Sequence, residues 1–228
     1  GALRRIRGAT RRLQARANAR GRELTIAVHF GFAHLWLLPR LARLEAAFPG
    51  TAFEVVPMDS APGEAVPGAD LTVRFGTFAA RESHEHALFP EIVQPVCSAA
   101  FARRHALEGA LDHAAPTRLP LLHMDDRDPR WLDWPRWSER AGLAVPAGPP
   151  RFRYNNYPLL LNAAIEGGGL ALGWRGLVDA LIAEGTLVEL GPVVERSERG
   201  YLLGAPDEGS AVVDPIVDWF LRECAGAP

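Results

Sequence analysis

The segment Glu23-Leu-Thr-Ile-Ala-Val-His29, followed by Phe30-Gly31-Phe32 and by Ala33 to Phe48 with Pro49-Gly50 behind it, decides the fold. Its first part is rich in β-formers and alternates, so it reads as a strand. Phe30–Phe32 reads as a turn. Leu37, Leu38, Leu41, Leu44 and Phe48 then make a helical stripe, which Pro49-Gly50 stops. Working outward, Phe53–Met58 and Ala69–Phe75 read as second and third strands, separated by a Pro- and Gly-rich loop at 59–68. Alternation of strand, helix and strand predicts an α/β fold with a mostly parallel sheet covered by helices on both faces.

Ala87–Cys97 reads as a long apolar strand carrying Pro90 and Pro95. A helix from Ser98 to His105 follows, then a short helix near 107–113 and a strand at Leu119–Met124. Trp131, Trp134 and Trp137 recur every three residues, which predicts one face of a helix at 131–141. Further elements are a strand at 151–154, a helix at 157–166, a strand at 170–174, a helix at 177–184, strands at 187–190 and 200–204, and an amphipathic closing helix at 211–224. Upstream, Leu3, Ile6, Thr10, Leu13 and Ala17 alternate gaps of three and four, the seam spacing of a coiled coil, and Gly21 stops that helix.

The composition is that of an ordinary globular chain: 228 residues, 48% apolar, formal net charge −2. That length suits one large domain or two lobes. All 25 basic residues are Arg, and eight of them (Arg4, Arg5, Arg7, Arg11, Arg12, Arg16, Arg20 and Arg22) crowd the first 22 positions without an acid. The remainder is acidic, which argues against nucleic-acid binding by the body, since phosphate neutralisation dominates such affinity. Two distant cysteines, Cys97 and Cys224, make no disulfide framework, and no membrane-length apolar run or secretory leader opens the chain, so the expected setting is cytoplasmic.

No catalytic set is evident. Gly167-Gly168-Gly169 precedes a strand, whereas phosphate loops follow a strand and open a helix; the triplet is therefore read as a helix end turning sharply into the next strand. His123 with Asp125 and Asp126 lacks a second His or Cys at ligand spacing, so no metal is expected. His29 and His34 bracket a strand-to-helix junction and are read first as satisfied structural residues, with contact of one of them to a ligand as the alternative. The absence of Lys excludes Schiff-base chemistry. No cofactor is implied and no enzymatic activity is expected. The informative positions are the junctions Phe30–His34, Arg74–Gly76, Val96–Ser98 and Asn155–Tyr157. In open α/β sheets ligands sit beyond the carboxyl ends of strands, where helix N-termini point N–H groups inward.

These junctions lie within segments that resemble the effector-binding region of LysR-type transcription regulators, in particular the glycine-cleavage-activator-like subgroup. The resemblance rests on Leu24-Thr-Ile-Ala-Val28, Leu38-Pro-Arg-Leu41, Phe48-Pro-Gly50, Ala69–Arg74, Pro95–Ser98, Trp134-x-x-Trp137 with Ala141-Gly-Leu143, Asn162–Leu172 and Gly185-Thr-Leu-Val188, in order across 22–224. It implies two Rossmann-like lobes of the type 2 periplasmic-binding-protein architecture, joined by two crossover strands. Lobe I would be 22–95 plus 196–225 and lobe II 96–195. Residues 1–21 would be the end of the linker helix through which such regulators form homodimers or tetramers. The sequence is then expected to be a truncated piece, DNA being bound through an N-terminal winged helix-turn-helix not present in it. The implied ligand-binding residues are Gly31, Phe32, Ala33, His34, Arg74, Val96, Cys97, Ser98, His123, Asn155, Asn156, Tyr157 and Trp174. Where family members often carry a small helix, this sequence has the loop 59–68.

The implied effector is a small metabolite. Arg74 and the helix N-termini favour a carboxylate. The Trp and Tyr residues of lobe II favour a quaternary ammonium, and Asn155–Leu160 resembles a stretch in some LysR-type regulators of choline metabolism. Two rivals share the lobes. A solute-binding protein of a transporter would need export and would have no use for a basic coiled-coil arm; an enzyme would need a nucleophile and base.

Overall fold

The computed structural model describes residues 22–58, 67–107, 118–124, 131–144, 152–205 and 209–226. The linker helix, the helix near 107–113 and most of the loop at 59–68 lie outside the described residues.

Strand β1 (Arg22–His29) buries Leu24, Ile26, Ala27 and Val28, and pairs in parallel with β2 (Thr51–Met58) and β3 (Leu71–Thr77). Phe30 does not open a turn. The chain enters helix directly, through an α turn at Phe30–Phe32, a π stretch at Ala33–Leu37 and a 3₁₀ turn at Leu38–Arg40, and continues as α1 (Leu41–Ala47). Pro39 has no N–H to donate and sits within the 3₁₀ turn, where the hydrogen-bond ladder changes pitch. Gly50, at φ 84°, completes the turn into β2.

β4 runs from Glu85 to Ser98, and β9 from Val194 to Gly204, longer than the five residues expected there. They pair antiparallel along most of their length, and β9 also pairs antiparallel with β3. The expectation of a mostly parallel sheet therefore fails. β1, β2 and β3 are parallel, but β4 with β9, β7 (Ala171–Trp174) and β8 (Leu187–Glu189) is antiparallel. The reason is connectivity: β4 carries the chain out of lobe I and β9 brings it back beside it. Side-chain periodicity does not encode that direction. Pro90 is tolerated because the β4–β9 register slips there, between Pro90 and Glu91.

Lobe I packs its helical run and α6 (Asp214–Ala225) on this sheet. Trp36 stacks on Phe32 at 4.7 Å and on Phe220 at 5.3 Å, and meets Trp219 edge-on. Lobe II holds α2 (Ala99–Arg104), the short pair β5 (His123–Met124) and β6 (Arg153–Tyr154), α3 (Trp134–Ala141), α4 (Tyr157–Ile165) and α5 (Asp179–Ala183). The strand expected at 119–124 is shorter, with Leu121 contributing only a single bridge to Leu170. Gly167–Gly169 behaves as read from the sequence: α4 ends there, Gly167 has φ 79°, and a Cβ on Gly168 would lie 2.8 Å from the Ala163 carbonyl oxygen.

Where the crossover strands pinch, Gly200 has no room for a side chain. An added Cβ would fall inside van der Waals distance of the Phe89 carbonyl oxygen and 2.8 Å from the Cα of Pro90. Both are backbone and cannot swing aside. Gly200→Ala is expected to lower stability by about 1–3 kcal/mol, the cost of overpacking a filled site. Urea denaturation measures this, and a change under about 0.5 kcal/mol, the range of a neutral surface substitution, would show that the pinch has slack.

Candidate functional site

Each lobe-II element that ends near the seam is fixed by its own chemistry. Asp133 caps α3 by accepting the Arg136 N–H at 2.8 Å, with Pro135 in the first turn. That cap starts the helix three residues later than expected. Trp131 is therefore outside the helix and shares no helical face with Trp134 and Trp137, which are buried core residues meeting edge-on at 5.6 Å. Asn156 caps α4, accepting the Leu159 N–H at 3.0 Å, with Pro158 in its first turn. Tyr157 opens that helix from a buried position. Its hydroxyl donates to the Leu172 carbonyl at 3.0 Å and accepts the Trp174 N–H at 3.2 Å, which locks α4 to β7. Burial pushes the phenol well above its ordinary range.

Between these elements lies a cavity of about 140 Å³, whose lining residues are Leu122, His123, Met124, Leu132, Asp133, Trp134, Pro135, Arg153, Tyr157, Leu160, Leu172 and Trp174. Aliphatic and indole side chains make up about half of its walls. Among the lining residues His123, Asp133 and Arg153 bring polar side chains. The wall is shared with the seam between the lobes: a Cβ on Gly31 of lobe I would lie 3.4 Å from the Tyr157 ring.

Of the thirteen residues singled out from the sequence, the structure brings His123, Tyr157 and Trp174 together on this cavity, with Gly31 against Tyr157. The others are placed differently. Phe32 and Ala33 are buried in the lobe I core. Val96, Cys97 and Ser98 are also buried. Ser98 caps α2 through Phe101 N–H, and burial pushes the Cys97 thiol up to about 11. His34 and Asn155 are exposed. Arg74 is held by Glu85 through two hydrogen bonds of 2.5 and 2.6 Å. Successive strand residues face opposite sides, so Arg74 is turned away from the side taken by Phe75, which faces the seam aromatics. The carboxylate-binding role expected of Arg74 has no support in this arrangement, because Glu85 already takes its fork.

The residue that organises the seam was missed. Glu91 of β4 is almost fully buried (1% exposed). One carboxylate oxygen accepts the Trp174 indole N–H at 2.9 Å; the other pairs with Arg196, and the Arg199 Nε lies 3.7 Å away. Burial pushes the Glu91 carboxyl upward, against the pull of the Trp174 hydrogen bond and of Arg196. A signal was present in the sequence: Glu91 is the one charged residue within the apolar run Ala87–Cys97. A buried acid requires partners. Above it, Tyr201 is buried among Phe32, Phe75 and Phe89, with its hydroxyl 3.4 Å from His29 Nδ1.

This is a mixed α/β sheet protein with two long antiparallel connecting strands and a cavity walled in part by Tyr157 and Trp174, which also reach the seam. The LysR substrate-binding domain model matches residues 17–225. The chain belongs to that family. It is 31% identical over 223 residues to the glycine cleavage system transcriptional activator of Escherichia coli, covering 95% of this chain and 69% of the relative. Among solved structures, the effector domain of AmpR from Pseudomonas aeruginosa superposes with a TM-score of 0.67 at 24% identity, over 89% of this chain and 95% of that one. The full-length CrgA structure from Neisseria meningitidis gives 0.65 at 14% identity, over 98% and 75%. At these identities the two structures establish the fold, the two-lobe periplasmic-binding-protein-like architecture. The LysR-type chain is thus an effector-binding domain, and its curated relatives are transcriptional regulators. No helix among its described residues is long and apolar enough to cross a membrane.

Glu91→Gln keeps an acceptor for Trp174 but removes the buried charge that faces Arg196. Removing one partner of such a pair costs about 3–5 kcal/mol. Chemical denaturation of Glu91→Gln is expected to show a loss of that size, while a loss under about 1 kcal/mol would place the pair in the class of solvent-screened surface bridges.

Proposed function

We propose that this domain senses a small organic acid at the seam cavity, in a cytoplasmic homo-oligomeric regulator that contacts DNA through a separate N-terminal domain. The observation that carries the ligand reading is the lining: an apolar floor of Leu122, Leu160, Leu172 and Trp134 beside the Arg153 guanidinium and the His123 imidazole. Such a site buries an apolar body and orients one anionic end, the usual division of labour in small-molecule pockets. Arg153 takes over the role expected of Arg74. A quaternary ammonium would instead be held by ring faces, and the carboxylate that lines the cavity, Asp133, already caps α3 and lies 3.7 Å from Arg136.

Two residues support a route for the signal. Tyr157 and Trp174 are at once cavity wall and seam, and Trp174 is hydrogen-bonded to Glu91 on a crossover strand. A ligand that fits better in one lobe arrangement shifts the population toward it, by no more than its differential affinity. Lobe orientation, passed along the N-terminal arm, would then set the spacing of DNA-binding domains in the oligomer.

A thermal-shift screen against carboxylates, amino acids and quaternary ammonium compounds tests this. A carboxylate at 100 times its dissociation constant adds about 2.7 kcal/mol of stability. The expected result is a hit among carboxylates that Arg153→Ala abolishes. Hits confined to quaternary ammonium compounds, or a carboxylate hit indifferent to Arg153→Ala, would refute the assignment.

A further inference from the structure

Trp131 belongs to lobe II by chain position but to lobe I by contact. Its main-chain oxygen accepts from Arg136 Nη1 at 3.0 Å, and the residues after it line the lobe II cavity. Its ring, however, stacks on Phe75 at 4.3 Å and 30° and lies 4.8 Å from the His29 ring and 6.4 Å from Tyr201. All three are lobe I residues. Among the described aromatic residues of lobe II, its ring meets the edge of Trp174, at 5.9 Å and 86°.

Three features set this ring apart from a core tryptophan. Trp36, Trp134 and Trp137 are sealed, at 2% exposure or less, whereas Trp131 is only partly buried. It precedes the Asp133 cap, so no helical hydrogen-bond ladder fixes its main chain. The walls it leans on, by contrast, are rigid: Phe75 and Tyr201 are buried on β3 and β9 in the central sheet. The socket therefore persists whether or not Trp131 fills it.

We propose that Trp131 is a built-in occupant of this aromatic socket, and that the effector is a flat, ring-bearing acid which takes its place. This rests on the acid-sensing reading above, since socket and cavity share Trp174. A planar ring is what the socket's geometry accepts, as the indole itself shows. Offset and edge-on ring contacts favour aromatic over aliphatic bodies of equal size. The acid group has a partner at the socket as well. The Arg199 guanidinium lies over the Phe75 ring at 5.2 Å, and its buried Nε has no hydrogen-bond partner among the described residues, although Glu91 is 3.7 Å away. In the unliganded domain Trp131 bridges the lobes; displaced, it releases one from the other.

The displacement has a measurable cost. A ligand that needs the socket open binds with its affinity reduced by the fraction of molecules in which it is open. If Trp131 vacates the socket in one molecule in ten, removing its ring tightens binding about tenfold. The test uses indole-3-carboxylate and benzoate as ring acids, with cyclohexanecarboxylate as the non-planar control. Calorimetric titration of the wild type, Trp131→Ala and Trp131→Phe is combined with fluorine NMR of protein labelled with 5-fluorotryptophan. The resonance lost in Trp131→Phe is assigned to residue 131. The expected result is that a ring acid binds Trp131→Ala about tenfold or more tightly than wild type, and moves the Trp131 resonance in the wild type toward its solvent-exposed position. A carboxylate that binds wild type and Trp131→Ala alike, with the Trp131 resonance unmoved but with loss on Arg153→Ala, overturns the displacement while leaving the acid-sensing cavity intact. Binding by neither ring acid to any of the three proteins overturns the proposed ligand class; a thermal-shift hit with a non-planar carboxylate would still uphold the cavity.

Discussion

A carboxylate buried in an apolar strand is the constraint around which the two lobes are arranged. Glu91 leaves water at a cost of several kcal/mol, and such a charge is stable only when it is paired and hydrogen-bonded. Its partners come from two places: Trp174 on β7 of lobe II, and Arg196 and Arg199 on the returning strand β9. Satisfying one residue thereby ties both crossover strands and the cavity wall together. The register slip between Pro90 and Glu91 places the acid at this crossing.

The same junction explains why a small ligand can have a large effect. At the seam the lobes meet through one continuous apolar core, which includes Tyr157 beside Gly31 and Trp131 stacked on Phe75. Packed interfaces of this kind shift between discrete arrangements because close-packed side chains do not deform gradually. Trp174 takes part in each element: it lines the cavity, meets Trp131 and Tyr157 edge-on, and donates its indole N–H to Glu91. Moving it changes the solvation of a buried charge, a strong lever relative to the marginal stability of a domain.

Much of this was legible in the sequence, for reasons that differ by element. β1 and the α1 stripe follow directly from periodicity, and the Gly167–Gly169 turn from the needs of positive φ at 167 and 169. The family followed from the order of short segments more than from any single one. Strand direction was not legible, since alternation is identical in parallel and antiparallel sheets. The helical pitch changes after Phe30 were hidden too, because Phe30-Gly31-Phe32 has turn-like composition but is held by packing of Phe32 on Trp36, Phe89 and Tyr201. At the site, His123, Tyr157 and Trp174, singled out by position in the pattern, line the cavity. The pairing of Arg74 with Glu85 was not legible, because contact between strands of that kind has no sequence spacing. Arg153, beside Tyr154 and Asn155, passed as an ordinary exposed cation.

The account's central claim is that ligand at the cavity reorients the lobes about the Glu91 junction. Pulsed electron resonance between spin labels on Ala46→Cys in lobe I and Glu139→Cys in lobe II, both exposed, measures that orientation. The native thiols do not compete for label, because Cys97 and Cys224 are buried and their thiols are pushed up to about 11 and about 12. The account predicts that a saturating carboxylate effector shifts the interlobe distance distribution, and that Glu91→Gln broadens it without ligand. Superimposable distributions with and without bound ligand would contradict it.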